Sequence, residues 1–196
     1  MLVITGTGRA GSTVIALWLK EMNLLKYEGV EIFERFKSGL EPKDVKRVNS
    51  AIWIGNDMAM QSIAAQQSAI ENIEHEVVKD NMFFYGNVLD TWLSVRKALK
   101  FLITVRNLNQ VEKSRRNVGQ LNMIRTVQEL QSDFGKFMSQ VVLNELPYRT
   151  ICFPNFLQDY DSVYNAINEL EPSLKINYKK GKSAWDKIVN ENLAVY

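Results

Sequence analysis

The sequence predicts an α/β fold, a three-layer parallel sheet flanked by helices. Three observations predict it. Five short apolar runs, at residues 2–5, about 30–33, 76–78, 101–105 and 150–153, are separated by longer segments whose apolar residues recur at helical spacing. Strands alternating with helices in this way read as parallel strands joined by crossover helices. A glycine-bearing turn follows the first run directly, at the carboxyl end of a strand, where such sheets hold their ligands.

The elements follow in order. Leu2, Val3 and Ile4 start a strand of branched apolar residues. After the turn, residues 13–22 carry Val14, Leu17, Trp18 and Met22 on one helical face. Residues 36–44, with Gly39 and Pro42, read as a flexible surface loop. Residues 57–75 carry Met58, Ile63, Ala64, Ile70 and Ile73 at helical spacing, opposite a glutamine-rich face. The apolar run 101–105 leads into a further helix containing Ser114. Residues 123–146 form the longest amphipathic segment, with Ile124, Val127, Leu130, Phe134, Phe137, Met138, Val141 and Val142 inward and Pro147 as its stop. Residues 162–170 and 184–193 read as shorter helices. No repeat, low-complexity tract or linker divides the chain, so residues 1–196 read as one domain, large enough for a sizeable core.

Composition narrows the class. Hydrophobic residues make up 46% and charged residues 23% of the 196, as in ordinary soluble proteins. No run approaches the ~18 apolar residues of a membrane span, and the start of the chain lacks a secretory pattern. The single cysteine, Cys152, excludes an internal disulfide framework and fits a reducing, cytoplasmic compartment. Lying in an apolar run, it is expected to be a buried, inert thiol. The one histidine, His75, lies among Glu71, Glu74 and Glu76 and is expected at the surface. One cysteine and one histidine leave no Cys/His zinc set.

The turn Gly6-Thr7-Gly8-Arg9-Ala10-Gly11-Ser12-Thr13 carries the first chemistry. Its glycines let the backbone turn tightly and approach a ligand. The helix behind it offers N–H groups and a positive dipole end to an anion. The ATP-type phosphate loop places lysine where this chain has Ser12, and here the cation has moved to Arg9. The loop is therefore read as holding a phosphate-like group without being built for ATP.

The second feature is Phe101-Leu102-Ile103-Thr104-Val105-Arg106, with Ser114 eight residues further on. An arginine at a strand's carboxyl end reaches the ligand crevice, and its planar fork suits a phosphate dianion. The bland alternative is a surface arginine ending a strand. Charge distribution adds to the first reading. Residues 96–116 hold seven basic side chains against Glu112 alone, and residues 175–187 hold five lysines against Asp186. Solvated basic faces would also account for most of these. No aromatic residues interleave with the first stretch as single-stranded nucleic acid would prefer, so no nucleic-acid partner is expected.

Together these residues resemble the sulfotransferase family, whose members use 3′-phosphoadenosine 5′-phosphosulfate (PAPS). Arg9-Ala10-Gly11-Ser12-Thr13 matches the family's loop of a basic residue, any residue, glycine and two hydroxyl residues, which cradles the 5′-phosphosulfate. Arg106 and Ser114 match the spacing of the pair that grips the 3′-phosphate. Val77-Val78-Lys79-Asp80 is similar to the strand that ends in a lysine near the transferred group. Residues 148–161 resemble the late strand and its turn into a helix, and Lys179-Lys180-Gly181-Lys182-Ser183-Ala184-Trp185 is similar to a basic segment touching the 3′-phosphate.

The resemblance implies a P-loop, sulfotransferase-like architecture and transfer of a sulfuryl group from PAPS to a hydroxyl or amine of a small-molecule or glycan acceptor. Gly8, Arg9, Ala10, Gly11, Ser12, Thr13, Arg106, Ser114, Lys180 and Gly181 are the implied nucleotide-binding residues. Arg9 and Lys79 are the implied catalytic cations, and no metal is expected. The histidine of many cytosolic members is absent after Lys79, where Asp80-Asn81 stands. Some bacterial members use a glutamate after the second strand instead. Gly29-Val30-Glu31-Ile32-Phe33-Glu34 is similar to that context, which makes Glu31 the first candidate for the base, with Glu34 and Asp80 behind it. Val14 occupies the place of the family's adenine-stacking tryptophan, and Trp18, one turn on, is expected to face the core. Two other readings stay open: a small P-loop nucleoside or metabolite kinase, and a catalytically degenerate nucleotide-binding module.

Overall fold

The computed structural model describes residues 1–7, 10–25, 67, 70–71, 76–79, 83, 88–117 and 126–193, with backbone alone at 115, 117 and 191–193. Four strands form one sheet: β1 (Leu2–Gly6), β2 (Val77–Lys79), β3 (Lys100–Val105) and β4 (Tyr148–Cys152). Their order is β2-β1-β3-β4, and every pairing is parallel. The described helices are α1 (Ser12–Glu21), α2 (Val88–Val95), α3 (Leu108–Asn117), α4 (Val127–Leu143), α5 (Tyr160–Leu170) and α6 (Tyr178–Leu193). The expected α/β class with a parallel sheet flanked by helices is thus the observed one.

Side chains alternate across a strand, and the sheet uses both faces. Leu2, Ile4, Val77, Leu102 and Ile151 pack with α1, α5 and α6. Val3, Val78, Phe101 and Ile103 pack with α2 and α4. This two-sided burial explains the continuous apolar run of β1, which is buried at all five positions. Trp18, expected in the core, is fully buried and meets the rings of Tyr160 and Trp185 edge-on at 5.7 and 5.6 Å. Phe83, Phe101 and Phe137 form a matching aromatic cluster on the other face.

Element ends differ from the sequence reading for local reasons. α4 starts at Val127, not 123, because Thr126 and Glu129 form a reciprocal capping box. α6 starts at Tyr178, not 184. There the Asn177 side chain accepts from the Lys180 N–H at 3.0 Å, a cap that the glycine at 181 obscured. α2 was not foreseen, and Trp92 is fully buried within it. Cys152 is exposed, against expectation. It points to the face opposite Ile151, which α4 and its following turn cover only near the start of β4, at Leu146 and Tyr148. The strand near 30–33, the loop 36–44 and His75 lie outside the described residues. Of the helix expected over 57–75, Gln67, Ile70 and Glu71 are described and helical.

The chain runs from β1 to β2 on one side of β1, and from β3 to β4 on the other side. The direction of winding therefore reverses between β1 and β3. A sheet of this kind opens its crevice there, beyond the strands' carboxyl ends.

Candidate functional site

β1 and β3 end side by side, with Gly6 paired to Thr104. A Cβ at position 6 would lie 2.1 Å from Thr104 Oγ1 and 2.6 Å from Thr104 O, so the close strand approach itself requires glycine. Thr104 Oγ1 donates to Thr5 O at 3.1 Å and fixes this end of the pair. Beyond Gly6, Thr7, Ala10 and Ser12 are buried and Thr13 is half-buried. Gly11 is the N-cap of α1, with φ 82° and ψ 5°. This left-handed conformation is one that glycine adopts without steric cost. Gly11 has no side chain with which to cap α1, and a helix start carries backbone N–H donors and the positive dipole end on the side of the crevice. Gly8 and Arg9 lie outside the described residues, as do Glu31, Glu34 and Asp80.

Arg106 follows β3 directly and is half-buried. Its Nε donates to Gln110 Oε1 at 3.3 Å, and its Cζ lies 4.8 Å from the centroid of the Phe153 ring. Gln110 and Ser114 are four residues apart on α3 and share a helical face. The arginine thus folds over the turn of α3 that leads to Ser114. The Phe153 ring also lies against the loop. A Cβ on Gly11 would come within 2.6 Å of Phe153 Cδ2 and of Phe156 Cζ. One ring therefore touches both the glycine that starts α1 and the guanidinium that ends β3. Neither Phe153 nor Gln110 was singled out by the sequence. The available signals were the place of Phe153 just after a strand and the i+4 spacing of Gln110 from Arg106.

Lys79 ends β2, paired with Ile4 on the far side of β1 from Arg106. Alternation places its side chain on the same face as Val77, the face that α1 covers. It is 9% exposed. Two strand spacings, roughly 10 Å, separate the backbones of β2 and β3, so the two cations flank the end of β1.

Lys180 and Gly181 lie in the first turn of α6 with Lys179, and Lys182 follows directly. No acidic residue occupies that turn, so the lysines add to the positive dipole end instead of offsetting it. Lys182 Nζ lies 5.7 Å from the Tyr160 ring centroid and pairs with Asp186 at 2.5 Å. Gly181 carries a packing function. Trp18 Nε1 donates to Gly181 O at 2.8 Å, and a Cβ there would lie 2.3 Å from the Tyr160 hydroxyl. The basic turn is thereby fastened to α1, the helix behind the loop. Burial pushes the Tyr160 phenol well above its usual value, so it stays a neutral donor, to Tyr178 O at 3.3 Å.

The structure thus brings together the Gly11-Ser12-Thr13 helix start and Arg106, with Lys79 on the other flank and Lys180 and Gly181 docked through α1. An open groove of about 480 Å³, lined by Leu146, Pro147, Tyr148, Arg149 and Thr150, lies at the opposite, amino-terminal end of β4. It is lined by none of these residues. Among the described residues no group of three or more His, Cys, Asp or Glu side chains converges. No described helix is long and apolar enough to cross a membrane.

No family model and no curated protein matches the chain. Among solved structures, the chain is similar to a sulfotransferase domain from the curacin biosynthetic pathway. The likeness covers 91% of this chain and 74% of that one, at 12% identity and a TM-score of 0.48.

Proposed function

We propose that this chain is a PAPS-dependent sulfotransferase that moves a sulfuryl group to a hydroxyl or amine of a small-molecule or glycan acceptor. The observation that carries the reading is the adjacency of the two anion-binding features at the sheet's switch point. The helix start at Gly11 and the guanidinium of Arg106 meet on one aromatic ring. A nucleotide with phosphate groups at both its 5′ and 3′ positions needs two such anchors. A nucleoside triphosphate, whose charges lie in one chain, needs a lysine in the loop, and Ser12 stands there instead.

In this reading Gly8, Arg9, Ala10, Gly11, Ser12 and Thr13 hold the 5′ end. Arg106 and Ser114 hold the 3′-phosphate, with Lys180 and Gly181 in the segment that approaches it from α6. The acceptor oxygen or nitrogen forms the new bond to sulfur as the bond from sulfur to the bridging phosphate oxygen breaks. Negative charge grows on that leaving oxygen, and Arg9 and Lys79 offset it. Glu31 takes the acceptor's proton. Positioning and charge neutralisation suffice for this chemistry, and no metal is assigned a part.

The test is calorimetric titration with adenosine 3′,5′-bisphosphate (PAP), beside ATP with Mg²⁺. The expected result is metal-independent binding of PAP and none of ATP. Arg106→Ala is expected to weaken PAP binding about 10- to 100-fold, the worth of one or two charge-assisted hydrogen bonds. Unchanged PAP affinity in that variant would remove the anchor on which the reading stands. Binding of ATP alone would favour a kinase. Binding of PAP with no turnover on any acceptor would favour a degenerate binding module.

A further inference from the structure

Phe153 follows β4, and its backbone N–H donates to Val105 O at 2.8 Å, the carbonyl just before Arg106. Its ring is braced by Phe156, with centroids 5.8 Å apart. It lies against Gly11 so closely that a Cβ there would meet Cδ2 at 2.6 Å and Cε2 at 3.2 Å. The guanidinium of Arg106 stands 4.8 Å from its centroid, within range of a cation–π contact. An unsupported arginine loses rotamer entropy when a ligand fixes it. Here the side chain is already held at its face by Phe153 and at Nε by Gln110.

We infer that Phe153 is a positioning residue that selects the nucleotide. By seating Arg106 on the same ring that meets Gly11, it fixes where a second phosphate group must lie relative to the first. It thereby favours a ligand bearing phosphates at both ends of the ribose over one bearing a 5′-phosphate alone. This inference rests on the nucleotide reading proposed above. It concerns selectivity, and the chemistry of transfer does not depend on it.

The experiment compares affinities for PAP and for AMP, with thermal unfolding as a check on folding, in the wild type and in Arg106→Ala, Phe153→Leu, Phe153→Met and Phe153→Tyr. The wild type is expected to prefer PAP, and Arg106→Ala to lose the preference. Phe153→Leu keeps apolar volume but removes the π face, and is expected to lower the PAP-to-AMP ratio about 2- to 30-fold, the span of a cation–π contact. AMP binding should hold, and Phe153→Tyr should restore the ratio. Phe153→Met gives the same reading if the leucine variant does not fold. A preserved ratio in the leucine or methionine variant overturns the role of Phe153, as do equal losses of PAP and AMP or a tyrosine variant that fails to rescue. A wild type without preference for PAP overturns the nucleotide reading itself, and this inference falls with it. A preference abolished by Arg106→Ala but kept by Phe153→Leu overturns the positioning role alone.

Discussion

Gly181→Ala separates packing from ligand binding at a position assigned to nucleotide contact. In an exposed helix the change would stabilise, since alanine is favoured over glycine by about 1 kcal/mol. Here the new methyl would lie 2.3 Å from the Tyr160 hydroxyl, more than 1 Å inside ordinary contact. Ile176 Cγ2 at 3.3 Å and Trp18 Cζ2 at 3.4 Å close the other sides. Tyr160 cannot swing away, because its buried ring meets Trp18 edge-on at 5.7 Å and Trp185 at 6.1 Å. Overpacking of this kind costs about 1–3 kcal/mol. Against the helical gain, the net expectation is a loss of about 1 kcal/mol, or about 2–4 °C in Tm for a chain of this size. Tyr160→Phe removes the offending oxygen and its 3.3 Å bond to Tyr178 O. In that background Gly181→Ala should stabilise, which gives a coupling of about 2 kcal/mol in a double-mutant cycle read by urea unfolding. A stabilising Gly181→Ala in the wild-type background, or equal effects in both backgrounds, would refute the packing argument. PAP titration of the folded double variant adds the second answer. Unchanged affinity assigns Gly181 to packing alone, and lost affinity places its backbone against the ligand.

Two further expectations follow from the geometry. Gly11→Ala combines a left-handed φ of 82° with contacts of 2.6 Å to Phe153 and Phe156. Strain and overpacking together should cost about 2–4 kcal/mol and abolish PAP binding, and a Tm equal to wild type would show that the loop start is not confined by those rings. The second concerns acid stability. Glu171 accepts from Ser173 Oγ at 2.6 Å and from Lys100 Nζ at 3.0 Å, and these bonds hold its carboxyl below the usual carboxylate range. A folded-state value below the unfolded one means that this stabilisation is present above the unfolded value of about 4.3. It is lost as pH falls through the depressed value. Glu171→Gln should therefore lower Tm at pH 7, and the difference from wild type should shrink toward pH 3. A gap that stays constant over that range would exclude ionisation of Glu171 as the source.

Much of the fold was legible because its signals are local. The apolar runs of β1 and β3 needed no partner to be recognised, since burial on both faces leaves a continuous hydrophobic stretch. The helix behind the loop was marked by Val14, Leu17 and Trp18, and the end of β3 by Arg106. Where local signals conflicted, the reading slipped. The last helix was expected from residue 184, yet Asn177 caps it and it starts at Tyr178, with Gly181 inside it at the crossing with α1. Cys152 read as buried because its neighbours are apolar, but the covering of its face of β4 depends on α4, a helix earlier in the chain.

By itself the sequence determined the class of the fold, the glycine-bearing turn between β1 and α1 and the presence of a cation at a strand end. Each of these depends on residues close in the chain, whose spacing fixes their conformation. Only the tertiary structure decided that β3 lies directly beside β1, with β2 on the other flank. That order brings Arg106 and Gly11 to one ring, makes Phe153 the piece between them, and sets Lys79 across the strand. Contacts between remote segments are chosen by how the faces of the sheet are buried, a property of the whole core that no local pattern encodes.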